Sequence, residues 1–519
     1  MVAGMKSFIF IYGPPGVGKS TCGKLLAQDL GMPFIDLDQK IEEKAGIDIP
    51  SIFKRDGEAG FRLLESSTLA EIIDQPTAVV SLGGGALLDP SNRELAEQNG
   101  RVICLNASHQ YLTKRLGANK NRRPLLKYDN LVKLLQKRQS HYDSFPLAIH
   151  TDGLSLQECV QTILLLIGIY RISGMGSEYT VHIGFDILQN LAGLLSTANL
   201  QEPLALVSDS NVAHHYSQSI IDILNANGIK ASHITFPAGE NNKTLDTVTS
   251  IWHELLEMQM DRRGTVIALG GGVANDMVGF AAATFMRGVS WVSLPTSLLA
   301  MVDASIGGKT GVNLPNGKNL IGAFYPPALV LADTETLSTL PKEEIISGMA
   351  EVVKHAIIDD ADLFEQCSAG IPQSTEQWTL LVKRAAAVKI NIIQKDPFEQ
   401  GRRAALNLGH TIGHAIEKNS NFSIRHGEAV AIGLVAEARL AEHISLASPG
   451  LAEQISIVLS EIGLPTSIPD NIDRKQILHT MQYDKKRRGS NILFALPAAI
   501  GDVRTGIEID DLSQLLSEL

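Results

Sequence analysis

The sequence predicts an α/β protein whose C-terminal part is helical, and it predicts more than one domain. Strand-like apolar runs alternate with helical periods up to residue 335, after which helical periods dominate. Glycine turns at 13–18 and 270–272 each lie between a strand-like run and a helical period. A chain of 519 residues with 44% apolar composition has the length of about three or four ordinary domains.

Charge, hydropathy and cysteine content indicate which binding partners and which cellular compartment to expect. The net charge of −11 disfavours nonspecific binding to nucleic acid, so we expect small-molecule substrates. The apolar stretch at 163–170 is too short to cross a bilayer, and the N-terminal apolar run leads directly into a glycine loop. We therefore predict no membrane segment and no signal peptide. Four cysteines without CxxC spacing predict neither a zinc–thiolate site nor disulfides, which fits a reducing cytoplasm: Cys22, Cys104, Cys159 and Cys367.

The first glycine loop has the spacing of a nucleotide site. An apolar run precedes GPPGVGKS and a helical period follows it, which is the context that the GxxxxGK[ST] pattern requires. The backbone N–H groups of such a loop wrap the phosphates, the lysine reaches the β and γ phosphates, and the hydroxyl group binds Mg²⁺. The residues predicted to bind ATP with Mg²⁺ are Gly13, Gly16, Gly18, Lys19, Ser20 and Thr21.

Polar residues farther along predict a small acceptor that carries a hydroxyl and a carboxylate group. Asp36 and Asp38 follow a strand-like run; the first can support hydrated Mg²⁺, and the second can accept the proton of the hydroxyl group. Arg62 can hold a carboxylate through two parallel hydrogen bonds. The triple glycine at 83–85 admits a ligand close to the backbone. The basic run at 114–126 is consistent with a phosphate-covering lid, and taken alone also with an ordinary charged loop.

Residues 5–168 resemble shikimate kinase in the phosphate loop, the DxD pair, GEAGFRLLE, the triple glycine, RPLL and RQSHY. The resemblance implies an α/β P-loop kinase fold in which Lys19 and Asp38 are catalytic. It also implies that Arg123 is the lid arginine over the transferring phosphoryl group and that Arg115 stacks on adenine. The residues implied to bind shikimate are Asp38, Arg62, Gly84, Gly85 and Arg138.

A segment of small and polar residues at 172–178 is typical of a linker, and a second α/β run follows it. In GTVIALGGGVANDMVGFAAATF, a strand, a glycine turn and a helix can place a pyrophosphate at a helix N-terminus. Asp209 at a strand end, with Glu240 and Lys243, suits ribose hydroxyl groups. These features predict a dinucleotide site.

Two histidines four residues apart, His410 and His414, lie on one face of a predicted helix. Zinc proteases use this spacing in HExxH, but the glutamate base is absent here, which leaves a packed or solvated pair and a ligand pair as the alternatives. Glu351, one turn before Lys354, and His426 complete a set of one carboxylate and imidazoles. Such a set with open positions is typical of a catalytic zinc site, and the basic residues around it predict an acidic substrate.

From residue 172 to the C-terminus the chain resembles 3-dehydroquinate synthase, in GGKTGVN, GKNLIGAFYPP, GMAEVVKH, GHTIGHAIE and YDKK. The resemblance implies a Rossmann-like NAD-binding subdomain, an all-α metal-binding subdomain, and a homodimer in which the partner subunit donates Arg287. It makes Glu351, His410 and His426 the ligands of Zn²⁺ or Co²⁺, and His414 a group that moves protons or binds the substrate phosphate. Asn275 stands where the family usually has glycine, and asparagine tolerates left-handed dihedral angles.

The same resemblance assigns the remaining site residues. Implied NAD contacts are Asp209, Glu240, Lys243, Gly271, Gly272, Val273, Asp276, Thr296, Ser297, Lys309, Lys318, Thr336, Leu337, Ser338 and Thr339. Implied substrate contacts are Arg287, Asp303, Lys309, Asn319, Lys389, Arg403 and Lys485, with Lys354, Asn407 and His414 catalytic.

Together the resemblances imply a bifunctional shikimate-pathway enzyme with domains at 1–171, 172–335 and 336–519. One half phosphorylates shikimate, and the other converts 3-deoxy-D-arabino-heptulosonate 7-phosphate to 3-dehydroquinate and phosphate. The rival hypotheses are a related sugar-phosphate cyclase or a metal-dependent polyol dehydrogenase in the second half, and a scaffold protein with inactive sites. The intact Lys19, Ser20, Asp38, Lys309 and metal set disfavour the scaffold.

Overall fold

The computed structural model describes residues 8–117, 128–315, 317–420, 423–482, 487–488 and 491–509. The chain divides into two compact units, Met1–Arg171 and Ile172–Leu519. Each unit contains a parallel sheet, so the predicted α/β class is confirmed for both.

The first unit has a five-stranded parallel sheet. Its strands are β1 (Phe8–Tyr12), β2 (Phe34–Asp36), β3 (Val79–Ser81), β4 (Gly100–Asn106) and β5 (Ala148–His150), in the order β2-β3-β1-β4-β5. Its helices are α1 (Lys19–Leu30), α2 (Leu37–Ala45), α3 (Ile49–Ile73), α4 (Pro90–Asn99), α5 (His109–Gly117), α6 (Tyr128–Tyr142) and α7 (Leu156–Ile167). Every residue of β1 is buried, as expected for a central strand in a parallel sheet. A further strand, β6 (Ile169–Ile172), spans the division between the units.

The second unit begins with six parallel strands of one sheet, in the order β7-β14-β11-β10-β8-β9. The strands of this part are β7 (Tyr179–Gly184), β8 (Gln201–Asp209), β9 (Ala231–Phe236), β10 (Gly264–Gly270), β11 (Ser290–Pro295), the hairpin β12 (Lys309–Leu314) and β13 (Gly317–Phe324), and β14 (Leu329–Asp333). Its helices are α8 (Leu191–Thr197), α9 (Ser210–Val212), α10 (Gln218–Ala226), α11 (Leu245–Glu257) and α12 (Gly272–Thr284).

The C-terminal part of the second unit is mainly helical. Its helices are α13 (Lys342–Asp359), α14 (Ala361–Ser368), α15 (Thr375–Lys395), α16 (His410–Asn419), α17 (His426–His443), α18 (Leu451–Ile462) and α19 (Arg474–Gln482). A small antiparallel sheet of β15 (Arg487–Arg488), β16 (Asn491–Ala499) and β17 (Asp502–Glu508) was not predicted from the sequence. Periodicity does not distinguish a short apolar run in a strand from a buried helical segment, which explains why this sheet was missed.

Helices α13, α16 and α17 approach one another closely at glycines. A Cβ atom at Gly427 of α17 would lie 1.9 Å from the Ser347 carbonyl oxygen of α13, and one at Gly433 would lie 1.9 Å from the Gly409 carbonyl oxygen that precedes α16. Since real Cβ atoms do not come this close, only glycine permits these helix contacts. The three helices carry Glu351, His410 and His426, respectively.

Asn275 does not have the left-handed conformation considered from the sequence. It lies inside α12 with helical dihedral angles and is 1% exposed. Its side-chain nitrogen donates to the carbonyl oxygens of Gly270 (3.0 Å) and Gly271 (2.9 Å), and its side-chain oxygen accepts from the Ser293 hydroxyl group. The asparagine therefore cross-links the glycine turn to the neighbouring strand β11.

We expect Asn275→Ala to lower the free energy of unfolding of the second unit by about 2–3 kcal/mol, because buried polar partners lose their hydrogen bonds. Tryptophan fluorescence during guanidinium unfolding can measure this, since Trp252, Trp291 and Trp378 all lie in the second unit. The matched control is Asn227→Ala, which removes an exposed amide that donates to one helical carbonyl group. Equal unfolding midpoints for the two variants would contradict the proposed cross-link.

Candidate active sites

The phosphate loop of the first unit leads into helix α1. No side chain caps the α1 N-terminus, so backbone N–H groups there remain available to an anion. Lys19 Nζ donates to the carbonyl oxygens of Gly13 (2.9 Å) and Pro14 (3.1 Å), which holds the ammonium group against the loop. Ser20 Oγ donates to Asp36 Oδ2 at 2.6 Å. The predicted Mg²⁺ ligand and its supporting carboxylate are thus in direct contact.

The predicted acceptor residues converge on the triple glycine. A Cβ atom at Gly83 would lie 3.0 Å from Asp38 Oδ1, and one at Gly85 would lie 2.6 Å from Arg62 Nη2. Arg138 Nη1 donates to the Gly84 carbonyl oxygen at 3.4 Å. The structure therefore brings together a carboxylate and two guanidinium groups against the backbone of the triple glycine. The predicted roles of Arg115 and Arg123 fall on side chains outside the described residues.

Glu65 is a functional candidate that was not assigned from the sequence. Its side chain is 1% exposed and pairs with Arg62, with 2.5 Å between Oε2 and Nη1. Burial raises the pKa of Glu65, and the Arg62 guanidinium group partly offsets this effect. The i, i+3 spacing of the two residues on one helix was the available signal. Glu65 fixes the arginine that faces the triple glycine.

In the second unit, the three predicted metal ligands meet at the junction of α13, α16 and α17. Glu351 Oε1 lies 3.5 Å from His410 Nε2 and 3.4 Å from His426 Nε2. Candidate ligand atoms of all three residues lie within 4.8 Å of one another. Glu351 is fully buried; its Oε2 pairs with Lys354, and its Oε1 faces the two imidazole nitrogens. Two imidazoles directed at one buried carboxylate oxygen fit a divalent cation.

His414 occupies a different position from this group. Its side chain is exposed, and its ring centroid lies 5.0 Å from that of His410 and 6.0 Å from that of His426. The histidine pair of the sequence is therefore split: His410 faces Glu351, while His414 lies at the rim of the same cluster.

A second carboxylate, Asp303, gathers cationic groups beside the metal-ligand set. It lies on a π-helical turn, Ala300–Ala304, and accepts a hydrogen bond from Lys389 Nζ at 2.7 Å. Lys354 Nζ is 3.9 Å from the same oxygen and also pairs with Glu351. Although burial favours the neutral acid, the Lys389 and Lys354 ammonium groups hold the pKa of Asp303 well below its ordinary value. Burial also lowers the pKa of Lys389, to about 8.

Glu399, another residue not assigned from the sequence, connects two predicted substrate groups. Its Oε2 accepts from Lys309 Nζ at 2.6 Å, and its Oε1 accepts from Asn407 Nδ2 at 2.8 Å. The backbone of Glu399 has a left-handed φ of 60°, which is uncommon for glutamate. Arg403 is 2% exposed and donates to the carbonyl oxygens of Pro397 and Gly307. The Glu399 carboxylate thus lies among the cationic and amide groups that we expect to bind an acidic substrate.

The predicted dinucleotide residues lie around the N-terminus of α12. No side chain caps this helix, and a Cβ atom at Gly271 would lie 3.2 Å from Ser297 Oγ, so Ser297 lies close to the glycine turn. Asp209 Oδ2 lies beside Gly270, whose added Cβ atom would be 3.2 Å away. Lys243, 3% exposed, donates to both Asp276 Oδ2 and Asn319 Oδ1 at 2.6 Å. Gly272 and Val273 form the first turn of α12, and Thr296 N donates to the Gly270 carbonyl oxygen.

The remaining predicted residues are more dispersed. Glu240 accepts from Asn313 Nδ2 at 2.7 Å, and Lys318 pairs with Glu417. The 334–339 turn buries Thr336 and Leu337 and leaves Ser338 exposed, and its Thr339 lies 2.5 Å from the Tyr216 hydroxyl group. Arg287 is exposed in a separate turn, and Lys485 lies outside the described residues.

Comparisons with known proteins identify the family of the second unit. The 3-dehydroquinate synthase N-terminal model matches residues 233–347, and the C-terminal model matches residues 348–487. The synthase of Synechococcus sp. is 46% identical over 323 residues, which cover 61% of this chain and 87% of that protein. The synthase of Thermosynechococcus vestitus is 43% identical over 336 residues, which cover 62% and 91% of the two chains. This chain belongs to the 3-dehydroquinate synthase family.

The shikimate kinase family model matches residues 15–167, which lie in the first unit. The chain is therefore a bifunctional enzyme of aromatic amino acid biosynthesis, a shikimate kinase joined to a 3-dehydroquinate synthase. The kinase is a phosphotransferase, and the synthase is a cyclising lyase that releases phosphate.

Solved structures of two other synthases share the fold of the second unit. A 2-deoxy-scyllo-inosose synthase complexed with carbaglucose-6-phosphate, NAD+ and Co2+ has a TM-score of 0.62 at 27% identity, and the match covers 67% of this chain and 98% of that one. The 2-epi-5-epi-valiolone synthase of Streptomyces hygroscopicus, with NAD+ and Zn2+ bound, has a TM-score of 0.59 at 27% identity, with the same coverage. The higher identity to 3-dehydroquinate synthases favours that activity over a related cyclase.

Among the described helices, none is both long and apolar enough to span a bilayer.

We expect Glu65→Gln to raise KM for shikimate about tenfold or more, because a buried charge-assisted hydrogen bond contributes roughly 1.5–3 kcal/mol. Steady-state kinase assays at saturating ATP measure the effect. Glu58→Gln is the matched control, since Glu58 also pairs with Arg62, at 3.4 Å, but its side chain is 68% exposed. Equal KM values in the two variants would show that the buried carboxylate does not position Arg62.

Proposed function

We propose that the phosphate loop and the triple glycine of the first unit form one shikimate kinase site. MgATP supplies the phosphoryl group that this site transfers. Lys19 and the α1 N-terminus hold the phosphates, and Ser20 with Asp36 holds Mg²⁺. Arg62 and Arg138 bind the shikimate carboxylate, and Asp38 accepts the proton of the attacking hydroxyl group. The observation that carries the assignment is the convergence of Asp38 and Arg62 on Gly83–Gly85.

We propose that Glu351, His410 and His426 hold the divalent metal of the synthase, Zn²⁺ or Co²⁺, and that the α12 N-terminus holds NAD. When bound, the metal polarises a substrate hydroxyl group and NAD carries a hydride reversibly, so NAD is not consumed. The observation that supports the metal set is the buried Glu351 carboxylate, whose Oε1 lies 3.5 Å from His410 Nε2 and 3.4 Å from His426 Nε2.

The neighbouring residues bind the acidic substrate and move its protons. Lys354, Lys389 and Arg403 offer cationic groups to its carboxylate and phosphate, and Asn407 and Lys309 offer hydrogen-bond donors beside them. We assign Asp303 to a substrate hydroxyl group, because the Lys389 and Lys354 ammonium groups keep it ionised. We assign proton exchange with the substrate phosphate to His414, whose exposed imidazole lies at the rim of the cluster.

The two activities should be lost separately. Lys19→Ala should lower shikimate phosphorylation by about a hundredfold or more and leave cyclisation unchanged, since a clamp on the transferring phosphate is lost. His410→Ala should lose the metal and cyclisation, while His414→Ala should keep the metal and cyclise more slowly. Metal analysis and both assays on each full chain measure these effects. Stoichiometric metal loss in the His414 variant would instead support a ligand pair.

The synthase should lose activity as the pH rises through about 8. Lys389 carries its charge only below its lowered pKa of about 8, so higher pH removes an ammonium group that attracts the acidic substrate. We expect kcat/KM to fall about tenfold per pH unit above that value. Lys389→Arg should move the fall to higher pH, because arginine stays charged. An unchanged profile in this variant would assign the fall to another group.

We further propose a homodimer in which Arg287 enters the partner's synthase site. Met286 and Arg287 have consecutive left-handed φ values of 48° and 66°, a strained conformation that is typical of functional positions. Within the described part of the chain, the exposed guanidinium group has no hydrogen bond or ion pair.

We also propose the domain limits 1–171, 172–335 and 336–519, supported by the division at Arg171. The four cysteines are buried and form no disulfide with one another, which supports a cytoplasmic location.

Mixed dimers test the donated arginine. Arg287→Ala and Lys354→Ala chains should each be inactive alone, but a random mixture should recover about a quarter of wild-type cyclisation. Half of the dimers would then be mixed, and each would contain one intact site. Co-expression followed by cyclisation assays measures the recovery. A mixture that stays inactive would place both residues in the site of one subunit.

A further inference from the structure

Glu417 is a buried carboxylate to which the proposed mechanism assigns no role. It lies on α16, seven residues after His410, and is 4% exposed. Residues seven apart share one face of a helix, so Glu417 lies on the same side of α16 as the metal ligand. Its Oε2 is 3.6 Å from His426 Nδ1, an ion-pair distance, and its Oε1 pairs with Lys318 of strand β13.

His426 therefore lies between two carboxylates. Its Nε2 faces Glu351 Oε1 at 3.4 Å, while its Nδ1 faces Glu417. A neutral imidazole carries one N–H group and one lone pair, and a metal ligand must present the lone pair. An acceptor at Nδ1 places the proton there and leaves Nε2 for the metal.

His410 has an equivalent arrangement with a different acceptor. Its Nδ1 lies 3.0 Å from the Leu408 carbonyl oxygen, which leaves its Nε2 directed at Glu351. Both histidines thus have an acceptor on the nitrogen that points away from Glu351. Such outer partners commonly fix the tautomer and orientation of a ligating histidine.

We propose that Glu417 is a positioning residue for the synthase metal site: it holds the proton on His426 Nδ1, and its pairing with Lys318 keeps the carboxylate in place. The proposal rests on the assignment of Glu351, His410 and His426 as ligands. It also connects the β12–β13 hairpin, which carries Lys318, with the metal site.

A carboxylate suits this position better than an amide. Its two oxygens face two donors, His426 Nδ1 and Lys318 Nζ, and an amide offers only one acceptor oxygen. Each carboxylate oxygen of Glu417 already faces one of these donors.

The competing interpretation is a second cation site. Candidate ligand atoms of His414, Glu417 and His426 also lie within 4.8 Å of one another. The Lys318 ammonium group already occupies Glu417 Oε1, and its charge would repel a second divalent ion. The contacts consequently favour an orienting carboxylate over a ligand.

The test is Co²⁺ titration of the metal-free full chain without NAD or substrate, read by visible absorption and by chelator competition. Glu417→Gln should weaken Co²⁺ binding roughly 10–100-fold and change the absorption spectrum, as loss of an outer-shell partner does. Lys318→Met should weaken Co²⁺ binding less than Glu417→Gln does, because the carboxylate loses one support but still faces His426. Adding Lys318→Met to Glu417→Gln should restore part of the affinity, since the amide oxygen can then turn to His426.

Glu428→Gln is the control, because Glu428 lies two residues after His426 but contacts Arg425. It should bind Co²⁺ like the wild type. Wild-type affinity and spectrum in Glu417→Gln would overturn the proposal, as would two Co²⁺ ions per wild-type chain that fall to one in this variant. If Glu417→Gln fails to fold, the double variant compared with Lys318→Met gives the same test. Full Co²⁺ binding by His410→Ala would instead refute the ligand set itself.

Discussion

The burial of one carboxylate, Glu351, is the constraint on which the synthase site depends. A buried anion is costly unless cations or hydrogen-bond donors surround it. Here Lys354 lies one turn away on the same helix, and His410 and His426 come from two other helices. These contacts require α13, α16 and α17 to pack closely, which glycines on α17 permit. The close packing of these three helices therefore also brings the proposed metal ligands together.

Much of the fold could be predicted because the decisive signals were local. A strand, a glycine turn and a helix follow one another directly in both units, and the helical periods after residue 335 correspond to α13–α19. The small sheet at the end of the described chain was missed because β16 is a short apolar run with buried residues on consecutive positions. Asn275 also differed from expectation, since its hydrogen bonds to Gly270, Gly271 and Ser293 depend on packing between α12 and β11.

The prediction of the candidate site residues also depended on local sequence signals. Lys19, Glu351 and His410 lie in motifs whose spacing carries chemistry, so the sequence alone could point to them. Glu65, Glu399 and Glu417 were not assigned because a glutamate on a helix or loop usually faces solvent. Their importance comes from partners: Glu399 and Glu417 contact residues that lie tens of positions away in the chain. Only the folded chain shows which carboxylates hold cationic groups in place.

The division of the chain at Arg171 has a consequence for how the pathway can be controlled. Because one polypeptide carries both enzymes, the cell makes them in a fixed one-to-one ratio. Dehydration and reduction of the ring separate the two reactions, so the product of one site is not the substrate of the other. To change the flux through one step alone, the cell must therefore change the turnover of that one enzyme. Substrate supply, cofactor occupancy and inhibition can each do this. Transcription and protein degradation change both capacities together.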